Sequence, residues 1–223
     1  MSIFKSMAGT LLLAILAAGT ASADDSEWGV GIKAGTLGLG VEARWSGLPY
    51  IDFRIGANSY TYEDDGSQAG ILYDADLDLE TFFVTGNFHF PLSPFRLTAG
   101  LFANGNEMNM ASVDQPGNGD FTIGGITYPA AGVGTLSSNT SFGSTSPYVG
   151  LGFDFEVFGK AGLNFDVGVL LQGDPEVTLV ADGLLASDPS FQAELEAERQ
   201  DLEDKFSDFK AYPVVSLSFV YNF

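Results

Sequence analysis

The sequence predicts an all-β protein: an eight-stranded antiparallel up-and-down transmembrane β-barrel with one amphipathic helix in its last outer loop. Three observations carry that prediction. The chain ends in strict alternation, with Val215, Leu217, Phe219, Tyr221 and Phe223 set against smaller and mostly more polar neighbours such as Ser216, Ser218 and Asn222. A two-residue period means a strand whose two faces meet different solvents. The same alternation recurs in segment after segment upstream. Finally, the N-terminus reads as an export signal, and no later apolar run reaches the ~20 residues of a spanning helix. A closed barrel is then the only membrane-spanning solution left.

Residues 1–23 carry Lys5, an uncharged apolar run that includes 11–16, and a small-residue ending, Ala21, Ser22, Ala23. That is the three-part pattern of a secretory signal, with cleavage expected after Ala23. No Cys is present, so a lipoprotein anchor, disulfides and thiol chemistry are all excluded. Residues 24–223 are then one domain. Losing Lys5 leaves 8 basic against 29 acidic residues, a net charge of −21. Such acidity argues against nucleic acid, which is held by clustered Lys and Arg.

Taken in order, the first strand sets Trp28, Val30 and Ile32 outward against Gly29, Gly31 and Lys33. The second sets Leu37, Leu39, Val41, Ala43 and Trp45 against Gly38, Gly40, Glu42 and Arg44. In the third, Ile51, Phe53, Ile55 and Ala57 alternate with Asp52, Arg54, Gly56 and Asn58. The fourth, 74–90, changes phase. Leu77 and Leu79 alternate with Asp76, Asp78 and Glu80, but past Thr81 the apolar set becomes Phe82, Val84, Phe88 and Phe90. A one-residue slip flips every side chain, so a β-bulge near 81–83 is expected. The remaining outward sets are Phe95 to Ala103, Val149 to Val157, Leu163 to Leu171 and the terminal strand. Tight turns at 46–49, 91–94 and 158–161 oppose connections near 35–36 and at 63–73, 108–146 and 173–211. Short periplasmic turns and longer outer loops are the rule for such barrels. Trp28, Trp45, Phe53, Phe95, Phe155, Tyr221 and Phe223 are expected in one interfacial girdle; Tyr60, Tyr62, Tyr73, Tyr148 and Tyr212 are expected in the other.

Eight strands enclose an interior that side chains can fill. The inward set adds Lys33, Glu42, Arg44, Asp52, Arg54, Arg96, Asp154, Glu156 and Asp166, expected to form a salt-bridge and water network, since unpaired charges there are costly. Asp74, Asp76, Asp78 and Glu80, near Glu63, Asp64 and Asp65, are read as a solvated acidic rim. They match no EF-hand spacing, and no metal or cofactor is expected. The 108–146 loop should hold a small hairpin over 121–128, turning at Gly124-Gly125. The helix, about 189–210, has Asp188 or Ser187 to cap it and Pro189 in its first turn. Phe191, Leu195, Leu202, Phe206 and Phe209 lie within about 60° of one another at helical periodicity. Its acidic flanks disfavour anionic lipid, so the stripe should dock on protein, most simply on the 108–146 segment across the barrel mouth.

The terminal alternation ending in Phe223 resembles that of small eight-stranded bacterial outer-membrane proteins of the OmpA, OmpX and OmpW kind. Residues 35–42 and 210–216 resemble members of that class without an assigned activity. In that family such an ending is the signal read by the barrel-assembly machinery, a role the resemblance places on Phe219, Tyr221 and Phe223. It also implies contact with outer-membrane lipid and lipopolysaccharide. The expected state is a monomer with a largely filled lumen and a structural or surface-interaction role, through a cell-surface protein partner. The alternative, implied by the OmpW likeness, is a conduit for small apolar molecules. A lipid-modifying enzyme is the third option. It is disfavoured because the single histidine, His89, has no Ser at a motif-like spacing, and a catalytic triad needs both partners.

Overall fold

The computed structural model describes residues 27–68, 71–113 and 119–223. The signal-peptide residues and the cleavage site lie outside that set. Eight strands close on themselves: β1 (Trp28–Gly35), β2 (Gly38–Leu48), β3 (Ile51–Gln68), β4 (Ile71–His89), β5 (Phe95–Asn104), β10 (Thr145–Phe158), β11 (Ala161–Leu171) and β13 (Ala211–Asn222). Each pairs antiparallel with its neighbour, and β13 closes the barrel against β1, with Val30 opposite Tyr221 and Ile32 opposite Phe219. The last backbone N–H of the chain, on Phe223, donates to the Trp28 carbonyl at 2.9 Å. Every strand edge in the wall is thereby paired, as a barrel in hydrocarbon requires.

The alternation sorts the side chains as expected along most of the wall. Ile32, Ile55, Leu97, Leu101, Val149, Leu151, Val167 and Leu217 are exposed on the outside, whereas Ser216, Ser218, Asn164 and Thr98 are buried within. At the tight-turn end Trp28, Phe53, Phe95, Phe155 and Tyr221 stand outward, with Trp45 stacked on Phe53 and Phe95 against Phe153.

The expected bulge in β4 is not there. Pairing with β3 runs without a slip from Ile51 opposite Phe88 to Gln68 opposite Ile71. The change of phase is a change of solvent. β3 and β4 have 18 and 19 residues, against the 9–11 or so that span a bilayer. Low on β4 the exposed outer set is apolar, Phe82, Val84 and Phe88; higher up, Leu79 points inward and is buried, while Asp74, Asp76 and Glu80 are exposed. An apolar surrounding low on the wall and water higher up would select those two outer sets, so one unbroken strand reads in two phases. The 63–73 connection is accordingly strand for most of its length. Register shifts occur instead beside two tight turns, between Trp45 and Leu48 and between Glu156 and Phe158.

Above the barrel, β6 (Glu107–Ser112) joins the upper half of β4, β9 (Leu136–Ser141) joins β6, and β12 (Glu176–Ala181) forms the edge. The hairpin β7 (Asp120–Ile123) and β8 (Ile126–Pro129) turns at Gly124 and Gly125, both at positive φ (58° and 80°) where glycine is unstrained. Helix α1 (Pro189–Phe206) continues into a 3₁₀ turn at Ser207–Lys210. Asp188 caps it, accepting hydrogen bonds from the Ser190 and Phe191 backbone N–H groups at 2.8 and 3.1 Å. Phe191 and Leu195 are buried with Phe121, Ile123, Val133 and Leu179, and Leu202 packs against that cluster. Farther along the stripe, Phe206 is partly buried and Phe209 is 50% exposed, the two rings 6.3 Å apart. The helix therefore docks through its first half on β12 as well as on the 108–146 segment.

Candidate functional site in the barrel interior

Two layers of side chains lie inside the barrel. The lower one is charged. Arg96, with no solvent exposure, donates from Nε to both Asp154 carboxylate oxygens at 3.0 Å, and from its two terminal nitrogens to Asp166 Oδ1 at 2.7 and 2.6 Å. Gly152, directly opposite Arg96 in the β5–β10 register, leaves the room its guanidinium occupies; a Cβ there would strike it. Arg54 lies 3.6 Å from Glu42, 3.5 Å from Asp52 and 3.7 Å from Asp154. Lys33 faces Glu42 at 3.8 Å, and Arg44 faces Asp52 at 3.5 Å. Lys33, Arg44, Arg54 and Arg96 thus meet Glu42, Asp52, Asp154 and Asp166, four basic groups against four carboxylates, inside a chain whose net charge is −20. Glu156 is not among them. It is exposed near the tight-turn end, beyond the point where inward parity means burial.

Several members of this layer have no charge, or no motif, to reveal them. His89 sits between two carboxylates, Nε2 at 2.6 Å from Asp52 and Nδ1 at 3.4 Å from Asp154. Thr98 donates to Asn87 at 2.7 Å, and Asn58 donates to Thr81 at 2.9 Å. Their inward parity was the available signal. The contacts themselves depend on cross-strand register, which places His89 opposite Arg96.

The upper layer is apolar. Leu37, Phe83, Phe102, Tyr148, Leu170 and Val214 form one buried cluster, with Tyr212 against it. Phe83 stacks on Phe102 at 5.1 Å, Phe102 meets Tyr148 at 5.2 Å, and Lys33 Nζ lies 4.8 Å from the Phe83 ring centre. Two of these residues depart from the expected positions. Leu37, expected on the outer wall, lies in the two-residue β1–β2 turn and folds inward to 5% exposure. Tyr148, expected in the outer girdle, is 4% exposed and faces inward. Tyr60 and Tyr62 occupy the inward parity of β3, opposite Leu79 and Leu77, above the low β1–β2 hairpin. Between the two layers lies a cavity of about 20 Å³, bordered by Lys33, Arg54, Asn58, Asp166 and Ser216. That is room for about one water.

An eight-stranded closure, an apolar outer band with aromatics at the tight-turn end, and an acidic superstructure define a β-barrel of the small outer-membrane kind. No family model and no curated protein matches the chain. Among solved structures it is similar to CarO2 and CarO of Acinetobacter baumannii. The TM-scores are 0.59 and 0.57, with 22% identity in each case, covering 88% and 87% of this chain and 98% and 97% of theirs. At that identity the likeness is one of fold.

Proposed function

We propose that this protein is an exported, monomeric outer-membrane barrel with a filled lumen. It presents its loop-built cap as a surface for interaction with a cell-surface protein and performs no catalysis. Outer-membrane lipid and lipopolysaccharide would surround the apolar band, and the barrel-assembly machinery would insert it. The observation that carries this proposal is the pair of stacked layers. A cluster of paired charges lies beneath an apolar cluster that crosses from the β1–β2 turn to β11 and β13, with about 20 Å³ between them. An ion crossing that apolar layer would shed its hydration with no compensating ligand, a steep penalty. A conduit for small solutes would instead need a continuous or laterally opening cavity.

Purified protein in planar bilayers should give no steady conductance, and a deletion strain should take up small hydrophilic and apolar solutes at the wild-type rate. Large stable single-channel openings would overturn the filled-lumen account. An uptake defect restored by the wild-type gene would favour the conduit.

A further inference from the structure

The cap's hydrophobic core closes at one end only. Around Phe191 and Leu195 the helix, the β7–β8 hairpin and the upper sheet are packed without exposure. Farther along α1 they diverge, leaving a cavity of about 390 Å³ whose walls include Tyr73, Met110, Phe121, Leu136, Leu202 and Phe206. These come from β4, β6, β7, β9 and α1, so the hollow is built by the tertiary fold and not by a single loop. Its size lies at the lower end of the ~300–1,000 Å³ typical of small-molecule sites, and its lining has the usual character, apolar and aromatic with a few polar groups. Burial pushes the Tyr73 hydroxyl pKa up, as expected in apolar surroundings.

The charged groups around it are Asp120, Glu198 and Lys205. Glu198 is held in place, since its Oε2 accepts a hydrogen bond from the Gly124 backbone N–H at 3.1 Å, tying the helix to the hairpin turn. Two carboxylates against one ammonium make the rim negative. The chain as a whole, at net −20, adds a field that concentrates cations and repels anions.

We propose that this hollow binds a small amphipathic amine, with an apolar body of one or two rings inserted between α1 and the sheet and a protonated nitrogen at the rim beside Glu198, where Asp120 adds to the negative field. The site lies outside the barrel interior, and it stands or falls independently of whether the lumen is filled.

The test uses the full-length mature protein in lipid nanodiscs, which keeps detergent out of the hollow. Titration calorimetry compares 1-naphthylmethylamine with 1-naphthylacetate, the same ring system with opposite charge, against empty nanodiscs. The amine should bind saturably at one per protein and at least about tenfold more tightly than the carboxylate, the usual scale of a charge-assisted contact. The double variant Asp120→Asn with Glu198→Gln keeps the acceptor for Gly124 and should erase that preference. Leu136→Trp, which fills the hollow, should abolish binding while the circular dichroism stays unchanged. Heat no greater than that of empty nanodiscs, equal or stronger binding of the carboxylate, or binding that survives Leu136→Trp would each overturn the assignment.

Discussion

Arg96 shows how a charge is held out of solvent inside an eight-stranded barrel. Its planar fork reaches two carboxylates at once, and the glycine across the strand pair leaves it room. Removing one partner of a buried, hydrogen-bonded ion pair costs about 3–5 kcal/mol, because the remaining charge stays desolvated. Arg96→Ala should therefore lower stability on that scale, measured as the temperature at which the folded, fast-migrating gel form converts to the extended one. Arg96→Lys should recover only part of the loss, since an ammonium cannot bridge both carboxylates with the same geometry. An unshifted transition in both variants would mean the network contributes nothing to folding. Much of this layer was legible at the residue scale. Parity along β5, β10 and β11 placed Arg96, Asp154 and Asp166 on one side of the wall. Parity has limits, however. Leu37 was misplaced because it lies in the β1–β2 turn, where strand parity no longer holds; Tyr148 because its place near the rim was weighed above its inward parity; and Glu156 because parity does not mark where the interior ends.

At the scale of the element, β4 and α1 make opposite points about pattern. In β4 the two phases belong to the apolar lower part and the acidic upper part of one outer face, with no bulge between them. In α1 the stripe of Phe191, Leu195, Leu202, Phe206 and Phe209 was legible, and so was its docking on the 108–146 segment. The opening of the cleft along its second half was not, because its walls come from five elements brought together only by the tertiary fold. The exposed face of α1 is organised by Arg199. It donates to Glu196 from Nε at 2.8 Å and from a second nitrogen at 2.6 Å, and it also pairs with Glu203. The hydrogen bonds from Arg199 hold the Glu196 carboxyl down, from 4.5 to about 2. A carboxylate depressed in the folded state contributes stability that is whole above about pH 4.5 and disappears as pH falls toward about 2. Helical circular dichroism should therefore soften across that window, and Glu196→Gln should flatten the change. Because the pair is solvent-exposed, the effect should be small and reduced by salt. Deleting 190–207 and bridging the gap with a flexible linker should leave the barrel folded, since the wall's strand pairing does not involve the helix. Conductance should stay flat, because the apolar layer lies inside the barrel beneath the cap. The hairpin carrying Phe121 and Ile123 should become protease-sensitive. A rise in conductance would make the helix a lid and sink the filled-lumen account.

For the whole molecule, closure is the governing fact, and it separates what holds the barrel together from what assembles it. β13 pairs with β11 from Ala211 to Tyr221 and with β1 from Ser216 to Asn222. Phe223 adds to this one backbone hydrogen bond, to Trp28, and a partly exposed ring. A single such bond contributes about 0.5–1.5 kcal/mol net, against a wall held by seven register pairs on the β1 side and eleven on the β11 side of β13. Once folded, a chain lacking Phe223 should therefore melt close to the wild type. If the last residue is instead read as an address by the assembly machinery, the same deletion should sharply reduce the amount that reaches the outer membrane in cells. The two measurements come from one variant. Refold the truncated chain into lipid in vitro and compare its heat-modifiable gel transition with the wild type. Then express both with the N-terminal segment intact and fractionate the envelope. The wild type should appear in the outer membrane as a form starting at Asp24, and the truncated chain should be depleted there while refolding normally in vitro. Equal recovery in the outer membrane would remove the signalling role of Phe223, and recovery of the wild type in the soluble periplasm would remove the membrane barrel itself.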